Sequence, residues 1–189
     1  MTVFLRIAVN LVTGSLLGTV FGIATLRLDH EDALNRLFLN ASLIVLSMLL
    51  LESLTCAIDG MPAFWIRCIS KAAHALLFSL PSVLTYCWFL FTRLIISGED
   101  TRRVQIRPLP LIPVVINGLA AVLSPFFNWT FVIDGGGFYH RGPFFPAFMG
   151  ITYSYLLIGP FLLLKRREKL LRGDFAIILL FCILPILGG

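Results

Sequence analysis

The sequence predicts an all-α polytopic membrane protein, a bundle of about six transmembrane helices with a short β-hairpin in one extracellular loop. Of its 189 residues, 58% are apolar and 13% are charged, whereas soluble domains are about 45–50% apolar and about a quarter charged. Runs of mostly apolar residues near the roughly 20 that a helix needs to cross the hydrocarbon core recur along the chain. Basic residues cluster between these runs. This pattern excludes an ordinary soluble domain, a disordered chain and a small disulfide scaffold.

Six apolar runs are the predicted spans, and they make residues 1–189 a single transmembrane domain. They cover residues 3–26, 37–58, 69–96, 109–127, 144–164 and 175–189. The first run contains Arg6 and Asn10, but it is too long for the core of a signal peptide and no small-residue cleavage site follows it. The third run is interrupted by Pro81, a residue that frees a backbone carbonyl in a membrane helix.

The sixth run is short for a span and contains Pro185. Two interpretations fit this length. The helix lies shallowly against the others, or the sequence is cut inside a longer architecture. We favour the second.

The positions of the basic residues predict the orientation. Eleven of the 15 Lys and Arg residues follow spans one, three and five, and the positive-inside rule places these connections in the cytoplasm. The N-terminus is then extracellular, as is the end of span six. The net charge of +5 therefore reflects contact with lipid phosphates and does not indicate a nucleic-acid partner.

The loop between spans four and five differs from the other, unremarkable connections. Residues 129–133 are aromatic and β-branched, residues 134–137 have the composition of a turn, and residues 138–140 can return as a second strand. We expect a β-hairpin that packs on the helix ends, since an isolated hairpin is marginally stable in water.

This loop holds the candidate ligand-sensing residues, which combine aromatic, titratable and cationic groups at an extracellular mouth: Trp129, Asp134, Tyr139, His140 and Arg141. The ligand would be a small extracellular or membrane molecule. The alternative is an interfacial aromatic belt, with Arg141 bound to lipid headgroups or to Asp134.

A second candidate cluster lies within the spans. Glu52 is in the outer part of span two, and Lys71 and His74 share a face of span three. Charges at this depth are costly and usually pair, so we expect Glu52 to pair with Lys71, with His74 as a protonation switch. The alternative is that Lys71 extends to the interface and His74 is only hydrogen-bonded.

Other polar residues indicate structure more than chemistry. Asn10 and Asn117 can form hydrogen bonds between helices. Cys56 and Cys68 both lie toward the outer face, which leaves a disulfide between them open. The sequence contains no phosphate-binding glycine loop, metal-ligand spacing, catalytic carboxylate pair or nucleophile elbow, so it predicts no catalytic residue, metal or cofactor.

The outer loop resembles a known family. Residues 131–134 (Phe-Val-Ile-Asp) and 139–143 (Tyr-His-Arg-Gly-Pro) resemble the loop between the fourth and fifth helices in the seven-transmembrane sensory modules of bacterial GGDEF-type diguanylate cyclases and, more loosely, related histidine kinases. The resemblance implies a bacterial plasma-membrane protein, a seventh helix and a cytoplasmic output domain that makes cyclic-di-GMP or transfers phosphate. The seventh helix and the Gly-Gly-Asp-Glu-Phe motif are both missing here.

We therefore expect a membrane-embedded sensory input module without an enzymatic activity of its own, with the lipid bilayer as its environment and a homodimer as one assembly. One alternative is a small transporter or a substrate-binding transporter subunit, which needs a polar cavity near the middle of the membrane. Another is a helper subunit that binds partner helices through Gly14, Gly18 and Gly22.

Overall fold

A computed structural model describes residues 3–97 and 108–165. In chain order these residues form α1 (Val3–Arg27), α2 (Ala33–Ile58), α3 (Phe64–Ser97), α4 (Pro108–Phe127), β1 (Phe131–Ile133), β2 (Tyr139–Arg141) and α5 (Phe145–Lys165). The first five predicted spans each coincide with one helix, and the predicted hairpin is present as an antiparallel pair of strands. The sixth predicted span lies outside the described residues.

Four helices in the described part are long and apolar enough to cross a membrane, over Val3–Arg27, Ala33–Ile58, Phe64–Ile96 and Pro110–Phe127. A shorter apolar helix covers Phe145–Gly159. Large apolar side chains such as Phe4 and Leu16 are 82% and 67% exposed. In a bilayer, lipid chains would cover these surfaces. The chain is therefore compatible with a membrane protein that has at least these four spans.

Helix α1 is peripheral and packs on α2. Its less exposed residues follow one face of the helix. Six of them recur at alternating intervals of three and four, Ile7, Asn10, Gly14, Leu17, Phe21 and Ala24, and Ala8 and Gly18 lie beside them. This spacing is the seam of a left-handed helix pair, and Gly14 faces Leu49 of α2 across it. Asn10 is buried in the seam, and its side-chain nitrogen has no hydrogen-bond partner within residues 3–97 and 108–165. Within these residues, the expected hydrogen bond from the Asn10 amide nitrogen to another helix is not formed.

Helix α3 is central, because it contacts α2, α4, α5 and β1. Between α3, α4 and α5 the side chain of Asn117 is 2% exposed. Its Nδ2 donates to Ser82 Oγ (3.1 Å), to the carbonyl oxygen of Phe148 (3.1 Å) and to Thr152 Oγ1 (3.3 Å). Asn117 thus joins three helices, as its position in a predicted span indicated.

The two ends of the bundle differ. The amide of Gly60, in the turn between α2 and α3, donates to the carbonyl oxygen of Gly137 in the hairpin at 3.1 Å. This contact places residues 59–63 and residues 128–144 at one end, which we call the hairpin end. The connection between α1 and α2 lies at the opposite end, with Arg27 and Arg36 beside it. Arg93 also lies toward that end, because α3 begins at the hairpin end and runs away from it.

Candidate functional site at the hairpin end

The site begins where α4 ends. Asn128 has a φ of 57°, the left-handed conformation common just after a helix, and its amide donates to the carbonyl oxygen of Ser124 at 2.8 Å. The fully buried hydroxyl of Ser124 accepts from the amides of Thr130 (2.8 Å) and Phe131 (3.0 Å). It donates to the carbonyl oxygen of Phe131 at 3.2 Å. One side chain therefore fixes the direction in which the chain enters β1.

The turn of the hairpin is closed by Asp134. The backbone amide of Gly137 donates to the Asp134 carbonyl oxygen at 3.1 Å, and Asp134 Oδ1 accepts from the amide of Phe138 at 2.9 Å. Gly137 has a φ of 87°, which favours glycine. The two strands pair in the register Phe131 with Arg141 and Ile133 with Tyr139. The predicted turn at residues 134–137 is confirmed.

The hairpin is fastened to the turn between α2 and α3 by two backbone donors. Besides the bond from Gly60 to Gly137, the amide of Tyr139 donates to Asp59 Oδ1 at 3.0 Å. Asp59 directly follows α2. Sequence reasoning did not select Asp59, since its partner is 80 residues away along the chain.

Beneath the hairpin lies a cluster of stacked rings. The phenol ring of Tyr139 lies face to face on the imidazole of His74, with centroids 4.9 Å apart and planes 6° apart. Phe131 and Phe78 complete the cluster, and their ring centroids lie 5.6 Å and 6.3 Å from the centroid of the imidazole. His74 Nδ1 donates to the carbonyl oxygen of Ser70 at 2.8 Å, which assigns the proton to Nδ1 and leaves Nε2 as an acceptor. The hairpin thus packs directly on the central helix.

The outer rim of the hairpin is exposed. His140 Nε2 and Asp134 Oδ2 are 2.9 Å apart. The Arg141 guanidinium carbon lies 4.8 Å from the centroid of the Phe145 ring, a cation–π distance. Trp129 stacks on Phe127 with centroids 4.9 Å apart. These contacts fit both the ligand-sensing interpretation and the interfacial aromatic belt.

The predicted site residues thus fall into one joined arrangement. Asp134, His140 and Arg141 form the exposed rim, Trp129 packs beside it, and Tyr139 connects the hairpin to His74 of the second predicted cluster. This contact between the two clusters was not predicted, because it depends on how the hairpin folds back over α3.

The prediction that Glu52 forms an ion pair with Lys71 is wrong. Lys71 Nζ donates instead to the carbonyl oxygen of Pro125 at 3.4 Å. This carbonyl belongs to the last turn of α4, where carbonyl groups lack helical partners and the helix dipole favours a cation. Within residues 3–97 and 108–165 the contact between a basic nitrogen and a carboxylate closer than 4.0 Å is that of His140 with Asp134. Lys71 therefore stabilises the end of α4.

The described residues contain no group of three His, Cys, Asp or Glu side chains that could hold a metal ion. Cys56 and Cys68 are present as free thiols.

Two pKa values in the hairpin depart from their usual range. The hydrogen bond from His140, and then that from the Phe138 amide, lower the pKa of the Asp134 carboxyl. Burial raises the pKa of the Tyr139 phenol, and the nearby Arg141 partly opposes this effect. The depressed pKa of Asp134 means that the carboxylate stabilises the fold above its pKa in the unfolded chain. That contribution is lost as the pH falls through the lower pKa of the folded state.

We expect Asp134→Asn to reveal this dependence. At pH 7 the variant should unfold at a lower temperature than the parent chain. The gap should begin to shrink below about pH 4, the ordinary pKa of an aspartate in the unfolded chain, and continue to shrink as the pH falls through the lower pKa of the folded state. Thermal unfolding of the purified chain in detergent, measured across this pH range, tests the expectation. A gap of equal size at both ends of the range would contradict it.

No protein-family model, curated protein or solved structure matches this chain. The resemblance to the sensory modules of diguanylate cyclases therefore stays a prediction.

Proposed function

We propose that the chain is a membrane-embedded sensory input module of a signal-transduction protein. The observation that best supports this proposal is the face-to-face stack of Tyr139 on His74. It connects an exposed rim of titratable and cationic groups directly to the most connected helix of the bundle. A ligand that displaced the hairpin would move an aromatic ring that is packed against α3.

Helix α3 is suited to transmit such a displacement. Its 34 residues make it about 50 Å long, which exceeds the roughly 30 Å thickness of the hydrocarbon core. It packs against α2, α4 and α5, so a shift of α3 would change three helix interfaces at once. Packed interfaces of this kind favour discrete arrangements over continuous deformation.

The charge distribution supports an orientation with the hairpin end outside. By their positions in the sequence, 11 of the 15 Lys and Arg residues follow predicted spans one, three and five, the side that the positive-inside rule assigns to the cytoplasm. The other four lie on the hairpin side: Arg6, Arg67, Lys71 and Arg141. In this orientation the N-terminus is extracellular and the module resides in a bacterial plasma membrane. The output proposed from the resemblance is cyclic-di-GMP synthesis by a domain outside this sequence.

A fusion tests the proposal. Residues 1–189 are joined, through one added transmembrane helix, to a diguanylate cyclase catalytic domain, and cellular cyclic-di-GMP is measured. Replacing Tyr139, His140 and Arg141 together with Ala removes the stack on His74 and two of the three rim residues. We expect output to change about tenfold, the ratio that corresponds to a coupling free energy of ~1.4 kcal/mol.

The matched control is Phe126→Ala, which removes an aromatic ring that is 79% exposed in the last turn of α4. We expect this variant to keep the output of the parent fusion. Both variants must reach the membrane in equal amounts. Parental output from the triple variant would contradict the sensory proposal.

A transporter remains the alternative. It requires a polar path near the middle of the membrane, where the Asn117 amide nitrogen is already bonded to α3 and α5. Substrate uptake by vesicles that contain this chain alone would favour the transporter over the sensor.

A further inference from the structure

Three nitrogen-containing side chains form a stripe along α3 at the hairpin end. Arg67, Lys71 and His74 are spaced four and three residues apart, so they lie on one helix face. His74 carries the hairpin through its stack with Tyr139. Arg67 and Lys71 lie on the next two turns, toward the end of the bundle, and their cationic groups are not part of the aromatic cluster.

Neither cation has an acidic partner. Within the described parts of the chain, no carboxylate lies within 4.0 Å of the Arg67 or Lys71 nitrogens. The Nε atom of Arg67 is buried and has no hydrogen-bond partner among the residues that the structure describes. Lys71 Nζ has three donor hydrogens and makes one long bond, to the carbonyl oxygen of Pro125. A buried charged donor without an acceptor costs free energy, and an added acceptor removes that cost.

No described carboxylate pairs with Arg67 or Lys71. Asp59 accepts from the amide of Tyr139, and Asp134 binds Phe138 and His140 within the hairpin. Glu52 makes no ion pair with Lys71. The two cations are therefore left to a partner from outside these helices.

The start of α3 is consistent with an anionic partner. At the start of α2 the side chain of Asp32 caps the helix by accepting from the amide of Leu34. The equivalent position before α3 is Ala63, whose side chain cannot accept a hydrogen bond. The positive end of the α3 dipole thus adds to the charges of Arg67 and Lys71.

We propose that Arg67 and Lys71 bind a phosphate oxyanion at the hairpin end of α3. Arginine presents N–H donors in a fork that matches a phosphate, and lysine adds a compact positive charge. Because the stripe continues into His74, binding there would act on the same helix that carries the hairpin. Only this signalling role rests on the proposed sensory function. The phosphate belongs to a lipid headgroup or to a small soluble molecule, two sources with the same chemistry.

Thermal unfolding of the full chain in micelles of a phosphate-free sugar detergent tests the site. In one arm sodium phosphate is titrated against sodium chloride of equal ionic strength. In the other arm inorganic phosphate is absent and phosphatidylglycerol is titrated into the micelles, with an uncharged glycolipid that contains no phosphate as the comparison. A ligand that binds the folded state raises the unfolding temperature in a saturable way. A rise in the first arm identifies a soluble phosphate, and a rise in the second identifies a lipid.

The variant Arg67→Gln/Lys71→Met should require at least about tenfold more phosphate or anionic lipid for half of the effect. Arg6→Gln is the matched control, because Arg6 is an exposed cation on α1 near the same end. It should respond as the parent chain does. No saturable rise in either arm, or equal responses of the two variants, would overturn the proposal.

A second measurement covers the case in which the double variant does not fold. Phenylglyoxal labels arginine side chains. Mass spectrometry of the labelled parent chain, which carries no substitution, gives the labelling rate of each arginine. Whichever of the two ligands raises the unfolding temperature, phosphate or phosphatidylglycerol, should slow the labelling of Arg67 at least threefold and leave the labelling rate of Arg6 unchanged. Equal labelling rates of Arg67 with and without that ligand would overturn the proposed site. If binding holds but the cyclase fusion ignores the hairpin variants, the sensory function fails and the oxyanion site stands.

Discussion

Replacing Gly137 with Ala is expected to lower the free energy of unfolding by about 2–4 kcal/mol, because two costs add at one position. The φ of 87° places the residue in a conformation that is strained for side chains with a Cβ atom. A Cβ atom would also overlap the backbone of Met61, lying 2.8 Å from its carbonyl carbon. The hairpin would then move away from the turn between α2 and α3, and the bond from the Gly60 amide would be lost.

Gly135→Ala is the matched control in the same turn. A Cβ atom at Gly135 meets no heavy atom within 4 Å, and its φ is outside the strained region. In detergent, the Gly137→Ala variant should unfold at a temperature roughly 5–10 °C below that of the parent chain. The Gly135→Ala variant should unfold at nearly the same temperature as the parent chain. Equal melting temperatures for the two variants would contradict the proposed docking of the hairpin.

Replacing Ser124 with Ala is expected to have a similar effect. The substitution removes the acceptor for two buried amides, those of Thr130 and Phe131, and the donor to the carbonyl oxygen of Phe131. A buried group left without its partner costs about 1–3 kcal/mol. The loss of these three hydrogen bonds should therefore lower the free energy of unfolding by about 2–4 kcal/mol. The segment that enters β1 should also become less firmly held.

Ser154→Ala provides the comparison. The Ser154 hydroxyl is exposed on α5 and donates to the carbonyl oxygen of Ile151 within its own helix, so its removal should change the melting temperature little. Hydrogen–deuterium exchange of residues 128–144 then locates the effect. Faster exchange in this segment is expected for Ser124→Ala alone. Unchanged exchange there would mean that Ser124 does not organise the hairpin.

Much of the fold could be predicted from the sequence. The span predicted at residues 109–127 is the helix Pro108–Phe127, and the span predicted at 144–164 is the helix Phe145–Lys165. The helix positions are predictable because a long apolar run satisfies its own backbone hydrogen bonds in a helix, as a segment that crosses a bilayer must. The hairpin turn is equally local, since Asp134 and the glycines that follow it suffice to reverse the chain.

The candidate site was only partly predictable. Residue types indicated Tyr139, His140, Arg141 and His74, but no sequence signal connected Tyr139 with His74. Asp59 and Ser124 escaped selection, because each is an ordinary polar residue whose role depends on distant or buried amides. The one usable sequence signal for Arg67 is its spacing of four from Lys71 on a single helix.

The sequence by itself determined the apolar helices that are long enough to cross a membrane, their positions and the presence of the hairpin, because those follow from composition and short-range chemistry. Tertiary structure alone decided which groups meet. Lys71 donates to the carbonyl oxygen of Pro125 and does not pair with Glu52, because the end of α4 brings carbonyl groups that lack helical partners beside α3. The same folding of distant segments placed Tyr139 on His74 and left the Nε atom of Arg67 without an acceptor among the described residues.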